Sequence, residues 1–580
     1  MRKLLTLLLF SLSWPLCAGH PETELFLAGG SLGLCSDLAA GSCRAAAPLH
    51  AHSRSAPGFV FDEAGAVRAS HPLLWQRPGV VAQATLRALL GAAITQGRGK
   101  PLSSSEAASL LDGLCLSDAP DSPVAYPCSD HAQPRPWRQW LDQERSAVLA
   151  AMEVPQFLGG QRRTERAFPE QSRDRGGLEV LREFVEQARR RAPDGIPRIA
   201  VVTASSQDPF DPVDFYLSLF DALGARAQWW PIDAALNVAV AGARCSELDE
   251  LRMQALQLPG RARIYPDLSA QQAQACAAPQ ALAHVPKDVQ GVFFSGGDQW
   301  RLRRALVDEH DQPNTWLQAL QAAHAAGTLV VGGTSAGAAV QSGGAMIGNG
   351  TTAEALRAGA LRASPPAPGC ERAQACPQGL VEDSFTWWPA GGTGLAAGAT
   401  ADTHFSERGR ELRLLTVMLA SATPWGYGAD ETSALRLTTH DGKRQLQAYG
   451  EHGGWVFERV TALPDGGLQA RVHYLAPGQV LEVVDERLVA PAALSERTAV
   501  RRSAGAPTDA LRRGALREAA ATLARGTPAS LTLRAGEGSV YLRRTPETKV
   551  WRGPRGQIGI TGLQLSYRPD ADRGAAPGTR

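Results

Sequence analysis

Hydrophobic residues in the middle of the chain form short runs that alternate with helical periodicity. Residues 199–203, 289–294 and 328–331 are largely apolar, which is typical of strands buried on both faces. Residues 211–224 and 314–327 carry apolar side chains at helical spacing and end in glycine. Strands that alternate with helices predict an α/β protein whose doubly wound, mostly parallel sheet is covered on both faces.

Pairs of glycines follow three of the predicted strands, at residues 29–30, 296–297 and 332–333. The first pair ends the apolar run 24–28, which we expect to be another buried strand. Glycine lets the backbone approach a ligand closely, and parallel sheets bind ligands at the carboxyl ends of their strands. The sequence therefore predicts a functional site where these three loops meet.

The rest of the chain lacks this alternation. Residues from about 35 to 194 show no clear order of strands and helices, and we interpret them as an insertion within a domain that spans residues 20–440. Beyond it, short β-like stretches surround one helical segment at 509–524. This pattern predicts a β-rich C-terminal accessory region over residues 441–580.

The N-terminus has the pattern of a secretory signal peptide. Arg2 and Lys3 precede an apolar run at 4–16, and small residues follow. A lipoprotein, lipidated at Cys17, is the alternative. We expect residues 1–19 to be removed and the mature protein to be secreted or periplasmic, with no membrane association after cleavage.

Eight cysteines remain in the mature chain, and an even number in an exported protein indicates disulfides rather than thiols. Pairing of neighbours is the simplest hypothesis, because closing short loops costs the least entropy. A zinc site is the alternative, but the chain has no Cys-x-x-Cys motif. The net charge of +2 gives no basic field for nucleic acid. The neighbouring couples are Cys35 with Cys43, Cys115 with Cys128, Cys245 with Cys276, and Cys370 with Cys376.

Ser335 lies in the sequence GTSAG at 333–337, directly after the predicted strand 328–331. A nucleophile on a tight strand-to-helix turn needs small neighbours, because the backbone bends sharply and the hydroxyl must be exposed. A helix that begins just after Ser335 would also direct amide groups towards a developing oxyanion. The alternative is a glycine-rich turn whose serine only caps a helix.

A serine nucleophile needs a base, usually histidine. Of the twelve histidines, His404 stands apart because three arginines follow it within the segment 402–413. The alternative interpretation is a solvated basic helix with ion pairs to Glu407 and Glu411.

Four segments, in this order, resemble the cyanophycinase family. These are serine peptidases related to aspartyl dipeptidase, with the flavodoxin-like fold of class I glutamine amidotransferases. Ala429 and Ser433 depart from the family's fourth motif. The resemblance covers about residues 24–32 and 195–440, and it does not extend to the insertion or the tail. The matching segments are SGGDQ at 295–299, GTSAGA at 333–338, residues 402–413, and GADETSAL at 428–435.

The resemblance implies that Ser335 is the nucleophile and His404 its general base. The carboxylate that orients His404 stays open between Asp402, Asp430 and Glu431, with Glu431 favoured. Backbone amides near Gly297 and Ala336 would form the oxyanion hole. Residues implied to bind or position the substrate are Asp298, Gln299, Asp402, Thr403, Arg408, Arg410, Arg413 and Asp430.

The family hydrolyses cyanophycin, a polyaspartate that carries arginine on each side-chain carboxyl, and releases β-aspartyl-arginine dipeptides. We therefore expect an exported serine exopeptidase that acts through an acyl-enzyme on a peptide or polymer, with no metal or cofactor. The resemblance also suggests a homodimer. Two alternatives stay open: an aspartyl dipeptidase-like peptidase of the same fold, and a secreted, non-catalytic binding protein.

Overall fold

The computed structural model describes residues 22–45, 50–117, 124–129, 135–489, 507–526, 528–554 and 556–570. The predicted signal peptide lies outside the described residues. Within them, a nine-stranded main sheet and an eight-stranded second sheet form the framework of the fold, and a helical insertion follows the first strand.

The main sheet is built around five parallel strands. Arg198–Val202, Arg226–Trp229, Gly291–Phe294 and Val330–Thr334 take the flavodoxin-like spatial order 2-1-3-4. The N-terminal strand Thr23–Ala28 occupies the next position, beside Val330–Thr334. The predicted α/β fold with a parallel sheet is therefore confirmed. In chain order, the first and fourth of the five parallel strands are followed by the glycine pairs 29–30 and 296–297, and the fifth contains the pair 332–333 near its end.

An antiparallel extension continues the main sheet beyond its N-terminal strand. Ser433–His440 pairs with Thr23–Ala28 and with Lys443–Gly450. Val480–Val484 and Arg487–Val489 complete the edge. The boundary between the domain and the C-terminal region is predicted from the sequence at residue 440. In the structure this boundary lies between the paired strands Ser433–His440 and Lys443–Gly450 of one sheet.

Helices cover both faces of the main sheet. On one face, Arg175–Arg189 buries Phe184 against Phe26 and Phe293, with ring centroids 5.8 and 5.3 Å apart. On the other face, Ala234–Ala241 and Thr315–Ala325 contribute buried residues to the largest core cluster. The helix Arg175–Arg189 belongs to this sheet, although the predicted insertion includes it.

The second sheet confirms the β-rich character of the C-terminal region. Two helices, Glu411–Ser421 and Ala515–Ala524, share its core cluster. In spatial order its strands are Ala399–Asp402, Trp425–Ala429, Gly454–Phe457, Leu468–Leu475, Ile558–Pro569, Gly538–Arg552 and Ser530–Arg534, with Thr461–Ala462 paired to Leu468–Leu475.

The insertion has a core of its own, which explains why its sequence does not follow the strand–helix alternation of the sheet. Buried Trp137, Trp140 and Leu89 lie in one cluster with Phe61 and Met152. Its helices are Glu63–Ala69, Gln83–Gly97, Ser104–Asp112, Pro136–Gln139 and Asp142–Met152, and its short strands are Leu114–Leu116, Ala125–Pro127, Phe157–Leu158 and Gln161–Arg162.

The remaining elements connect the strands and helices described above. The α-helices are Val213–Ala222, Leu248–Leu256, Arg261–Ile264, Pro266–Ala277, Pro279–Asp288, Gln299–Arg304, Ala336–Ala339 and Thr352–Ala358. The 3₁₀ turns are Ala40–Ser42, Pro72–Trp75, Pro169–Gln171, Cys245–Glu247 and Ser406–Arg408. The short strands are Ser342–Gly343, Met346–Asn349, Leu361–Arg362, Thr386–Trp388 and Ala396–Ala397.

Four disulfides join neighbouring cysteines, so the predicted pairing is confirmed. Disulfides persist in oxidising compartments, which agrees with an extracellular or periplasmic environment. Across the part of the chain that the structure describes, no helix is both long and apolar enough to cross a bilayer. The pairs are Cys35–Cys43, Cys115–Cys128, Cys245–Cys276 and Cys370–Cys376.

Candidate active site

Ser335 lies on a sharp turn between the strand Val330–Thr334 and the short helix Ala336–Ala339. Its φ of +53° is in a region that non-glycine residues rarely adopt. The turn is closely packed: a Cβ on Gly333 would lie 2.1 Å from the carbonyl oxygen of Gly337. The glycines flanking Ser335 are therefore required by backbone packing, as expected of a nucleophile elbow.

His404 reaches Ser335 from the second sheet. Its Nε2 lies 2.8 Å from the Ser335 Oγ, within hydrogen-bonding distance. The His404 amide donates to the carbonyl oxygen of Gly29 at 2.7 Å. A Cβ on Gly30, whose φ is +102°, would lie 2.4 Å from the imidazole Cε1. The first glycine pair thus holds the backbone and the ring of the histidine.

Glu431 completes a hydrogen-bonded series with these two side chains. The His404 Nδ1 lies 2.8 Å from the Glu431 Oε1. Burial raises the pKa of Glu431, but the hydrogen bond and charge of His404, together with Ser31 and Arg513, outweigh burial and hold this pKa below its ordinary value. Burial lowers the pKa of His404 more than Glu431 raises it, and the charges of Arg408 and Arg410 lower it further. The imidazole is therefore neutral at neutral pH, as a general base requires.

The amides predicted to form an oxyanion hole lie next to the nucleophile. Ala336 follows Ser335 directly, and a Cβ on Gly296 would lie 3.3 Å from the Cβ of Ser335. Among the described residues, the amides of Gly297 and Ala336 donate to no protein acceptor. Both amides are thus available to an anionic oxygen of a bound substrate.

Asp402 forms an internal ion pair. Its carboxylate accepts two hydrogen bonds from Arg413, from Nε at 2.8 Å and from Nη2 at 2.7 Å. Arg410 lies 3.3 Å from the same carboxylate and donates to the carbonyl oxygen of Thr403 at 2.6 Å. Burial, together with the charge of the adjacent Arg413, lowers the pKa of Arg410 to about 9. The carboxylate of Asp402 is thus occupied by protein groups.

Asp430 is also engaged within the protein. Its Oδ1 accepts the Ser406 amide at 3.0 Å, and its Oδ2 lies 2.8 Å from the Nη1 of Arg517. The same Nη1 lies 2.6 Å from Glu407, whose other oxygen accepts the amide of Glu431 at 3.0 Å. We call Glu407, Asp430 and Arg517 the buried charge cluster. It supports the loop that carries Glu431.

Sequence reasoning missed the contribution of the C-terminal region to this site. Arg517 belongs to the helix Ala515–Ala524, and Arg513 lies 3.5 Å from the Glu431 Oε2. A Cβ on Gly409 would lie 2.7 Å from the carbonyl oxygen of Leu511, so this segment packs directly on the histidine loop. In the sequence, the only sign of this contribution is a group of arginines at the start of the predicted helix 509–524. Such a group does not identify acidic partners that lie about 100 residues away in the chain.

A cleft of about 710 Å³ adjoins the elbow through Gly297. The Gln299 amide group donates to the carbonyl oxygens of Ile347 and Gly348, at 3.0 and 3.1 Å, at one wall of this cleft. The Asp298 carboxylate caps the helix Gln299–Arg304 and accepts the amides of Trp300 and Arg301. Thr403 and Arg408 do not line the cleft. Residues of the insertion contribute another wall, and the arginines that line the cleft are Arg77, Arg301, Arg304, Arg410 and Arg413.

Comparison with known proteins adds little to this geometry. No family model matches the chain. Among solved structures, the chain is similar to a peptidase from an acI-B1 Actinobacterium, with 16% identity and a TM-score of 0.30 over 52% of this chain and 88% of that one. A TM-score this low does not carry a functional assignment, which must therefore come from the site itself.

Proposed function

We propose that this chain is an exported serine peptidase of the cyanophycinase type, with Ser335 as nucleophile, His404 as general base and Glu431 as the orienting carboxylate. The observation that carries the proposal is the continuous hydrogen-bonded series from the Ser335 Oγ through His404 to Glu431, with both links at 2.8 Å. The strained turn at Ser335 supports it, because strain of this kind is concentrated at functional sites.

The reaction follows from this arrangement. The Ser335 Oγ attacks the scissile carbonyl carbon as its proton passes to the Nε2 of His404. The amides of Gly297 and Ala336 stabilise the oxygen anion of the tetrahedral intermediate. His404 then donates the proton to the leaving amine, and the acyl-enzyme remains on Ser335. Water, deprotonated by His404, hydrolyses this ester and restores the hydroxyl.

Glu431 acts through the histidine. Its carboxylate accepts the Nδ1–H, so the lone pair of Nε2 points towards Ser335 and the imidazolium is stabilised when it forms. The lowered pKa of Glu431 keeps this carboxylate ionised over the range in which the base operates. The ester intermediate also distinguishes this mechanism from glutamine amidotransfer, which uses a cysteine thiolate.

Cyanophycin is the substrate we favour, since the four ordered motifs resemble cyanophycinases and the four disulfides agree with action outside the cytoplasm. Each unit of this polymer carries a free α-carboxylate and a guanidinium. The arginines of the adjacent cleft offer bidentate partners to the carboxylates.

The test incubates the mature, disulfide-bonded protein with purified cyanophycin and measures the release of β-aspartyl-arginine by liquid chromatography and mass spectrometry. We expect Ser335→Ala to lower release by about 10⁴- to 10⁶-fold. The matched control, Ser109→Ala on the exposed face of an insertion helix, should retain full activity. Absence of release by the wild type, or equal release by Ser335→Ala, would overturn the proposal.

A second candidate, an aspartyl dipeptidase-like activity, is favoured by one observation: arginines outnumber carboxylates along the cleft. Such a cleft suits small acidic peptides as well as a polymer. Hydrolysis of α-aspartyl dipeptides without release from cyanophycin would select this candidate, and the dependence on Ser335 would be the same.

A further inference from the structure

Three arginines of the cleft form no salt bridge with a described residue. Arg77 donates to the carbonyl oxygens of Gln254 and Ala255 at 3.0 and 2.7 Å. Arg301 donates to the carbonyl oxygen of Ser205 at 3.1 Å. Among the described residues, no carboxylate lies within 4.0 Å of the guanidinium groups of Arg77, Arg301 or Arg304. We call these three residues the arginine triplet.

The other charged side chains along this cleft are engaged within the protein. Arg410 and Arg413 share the buried carboxylate of Asp402. Asp142 pairs with Arg145, and Asp298 caps a helix through the amides of the residues that follow it. Asp298 also acts on Arg301, but one carboxylate does not balance three guanidinium groups, so the triplet leaves a net positive charge in the cleft.

The three guanidinium groups lie close enough to disfavour one another. Burial lowers the pKa of Arg77, and the charges of Arg304 and Arg301 lower it further. Burial also lowers the pKa of Arg301 more than Asp298 raises it, and Arg304 adds to the lowering. The triplet comes from two parts of the chain: Arg77 from the insertion, and the other two from the helix Gln299–Arg304, which begins beside the glycine pair of the candidate oxyanion hole.

Like charges that are held together in a concave site with too few counter-ions repel one another. An anionic ligand relieves this repulsion and is therefore bound. Guanidinium groups bind carboxylates through paired N–H donors, more strongly than they bind neutral acceptors. The position next to a candidate peptidase centre selects a carboxylate-bearing peptide rather than an isolated ion. Because Arg77 belongs to the insertion and lines the cleft, the insertion would contact the bound peptide directly and influence which substrates bind.

We propose that Arg77, Arg301 and Arg304 form an anion subsite that binds the carboxylate groups of an acidic peptide segment while another part of the same peptide occupies the catalytic elbow. This inference rests on the proposed function, because it assigns a substrate class to that site. It extends the site to the insertion, which the motif resemblance does not cover. Arg77 brings a guanidinium from the insertion to the helix that begins at the oxyanion loop.

The test measures binding rather than turnover, so that failure of catalysis does not affect it. Full-length mature protein carrying Ser335→Ala is titrated with fluorescein-labelled hexa-aspartate, and fluorescence anisotropy gives the Kd. Arg77→Gln and Arg304→Gln are added singly and together to this background. The matched control is Arg87→Gln, an exposed arginine of the insertion that does not line the cleft. Circular dichroism verifies that each variant is folded.

We expect each single substitution to weaken hexa-aspartate binding about fivefold and the pair to weaken it about twentyfold, with no change for Arg87→Gln. Binding should also weaken as ionic strength rises from about 0.05 to 0.5 M, because exposed charges are screened.

Absence of binding, or binding unaffected by the double substitution, would overturn the subsite. Inorganic polyphosphate is titrated in parallel. If it binds with the same arginine dependence while hexa-aspartate does not bind, the assignment to carboxylates is wrong. If the subsite is present but the wild type hydrolyses neither cyanophycin nor aspartyl peptides, the proposed function fails and the binding result stands.

Discussion

Arg517→Met tests whether the C-terminal region supports the catalytic carboxylate. In the buried charge cluster, one guanidinium nitrogen serves both carboxylates, 2.6 Å from Glu407 and 2.8 Å from Asp430. The side chains of Glu407 and Asp430 are 4% and 0% exposed. Methionine preserves most of the apolar volume but leaves two buried carboxylates side by side without a cation.

The magnitude follows from burial. Removing one partner of a buried ion pair costs about 3–5 kcal/mol, because the remaining charge stays desolvated. Burial and the nearby Glu407 already raise the pKa of Asp430, so proton uptake by the pair will offset part of the loss. We therefore expect Arg517→Met to destabilise the protein by roughly 3 kcal/mol near pH 7.

A loss of activity should accompany this destabilisation. Glu407 accepts the amide of Glu431 at 3.0 Å, so protonation or movement of Glu407 displaces the carboxylate that orients His404. We expect kcat to fall at least tenfold, with a smaller change in KM, because orientation of the base matters most in the transition state.

The assay combines urea unfolding with hydrolysis of cyanophycin. The matched control is Arg512→Met, which removes an arginine of the same segment whose partner is Glu518, with side chains 48% and 54% exposed. A surface pair of this kind contributes about 0–1 kcal/mol. Arg517→Lys keeps the charge and should recover part of both losses. Equal stability and equal kcat for Arg517→Met and Arg512→Met would refute the reasoning.

Three further predictions concern the site and its surroundings. Gly30→Ala should lower kcat by about 10²-fold or more in steady-state assays, since its Cβ would lie 2.4 Å from the His404 ring and its φ is +102°; unchanged kcat would contradict this packing. Arg408→Gln should move the acidic limb of the kcat/KM profile to higher pH, because this arginine lowers the pKa of His404; a shift to lower pH would reverse the sign. Burial raises the pKa of Glu411 to about 8, so the carboxyl group weakens folding as pH rises from about 4.5 to 8. Glu411→Gln should then be more stable than the wild type at pH 8, by up to about 4 kcal/mol in urea unfolding, and nearly equal at pH 4. A constant difference across this range would show that ionisation is not the cause.

Local patterns predicted the parts of the fold that depend on local interactions. The strand before Ser335, the glycines around it and the strand-to-helix turn follow from periodicity and from the steric needs of a bent backbone. The pairing of neighbouring cysteines follows from the low entropy cost of short loops. The meeting of the three glycine loops follows from the rule that parallel strands end at one edge.

Long-range contacts could not be predicted in this way. Asp402 and Asp430 resembled catalytic or binding carboxylates in the sequence, but the structure pairs them with Arg413 and Arg517 respectively. A carboxylate looks the same in sequence whether it binds a substrate or a buried guanidinium. The partner of Asp430 lies in a region that no motif covered, and only the folded chain brings the two together.

The helix Arg175–Arg189 shows that long-range packing also made the boundary of the insertion difficult to predict from sequence. Its apolar face packs on the main sheet, yet it follows a long helical insertion with a separate core. Amphipathic periodicity predicts that such a helix is half-buried, but it does not indicate which of two cores the buried face joins.

Covalent labelling of the nucleophile tests the central claim most directly. Mature protein is treated with a fluorophosphonate probe, and intact mass and peptide mapping locate the adduct; Ser335→Ala, His404→Gln and Ser109→Ala are treated alike. We expect a single adduct on Ser335 in the wild type and in Ser109→Ala, none in Ser335→Ala, and labelling at least about 10²-fold slower in His404→Gln. A wild-type protein without an adduct on Ser335, or one labelled equally fast without His404, would contradict the assignment of a serine hydrolase centre.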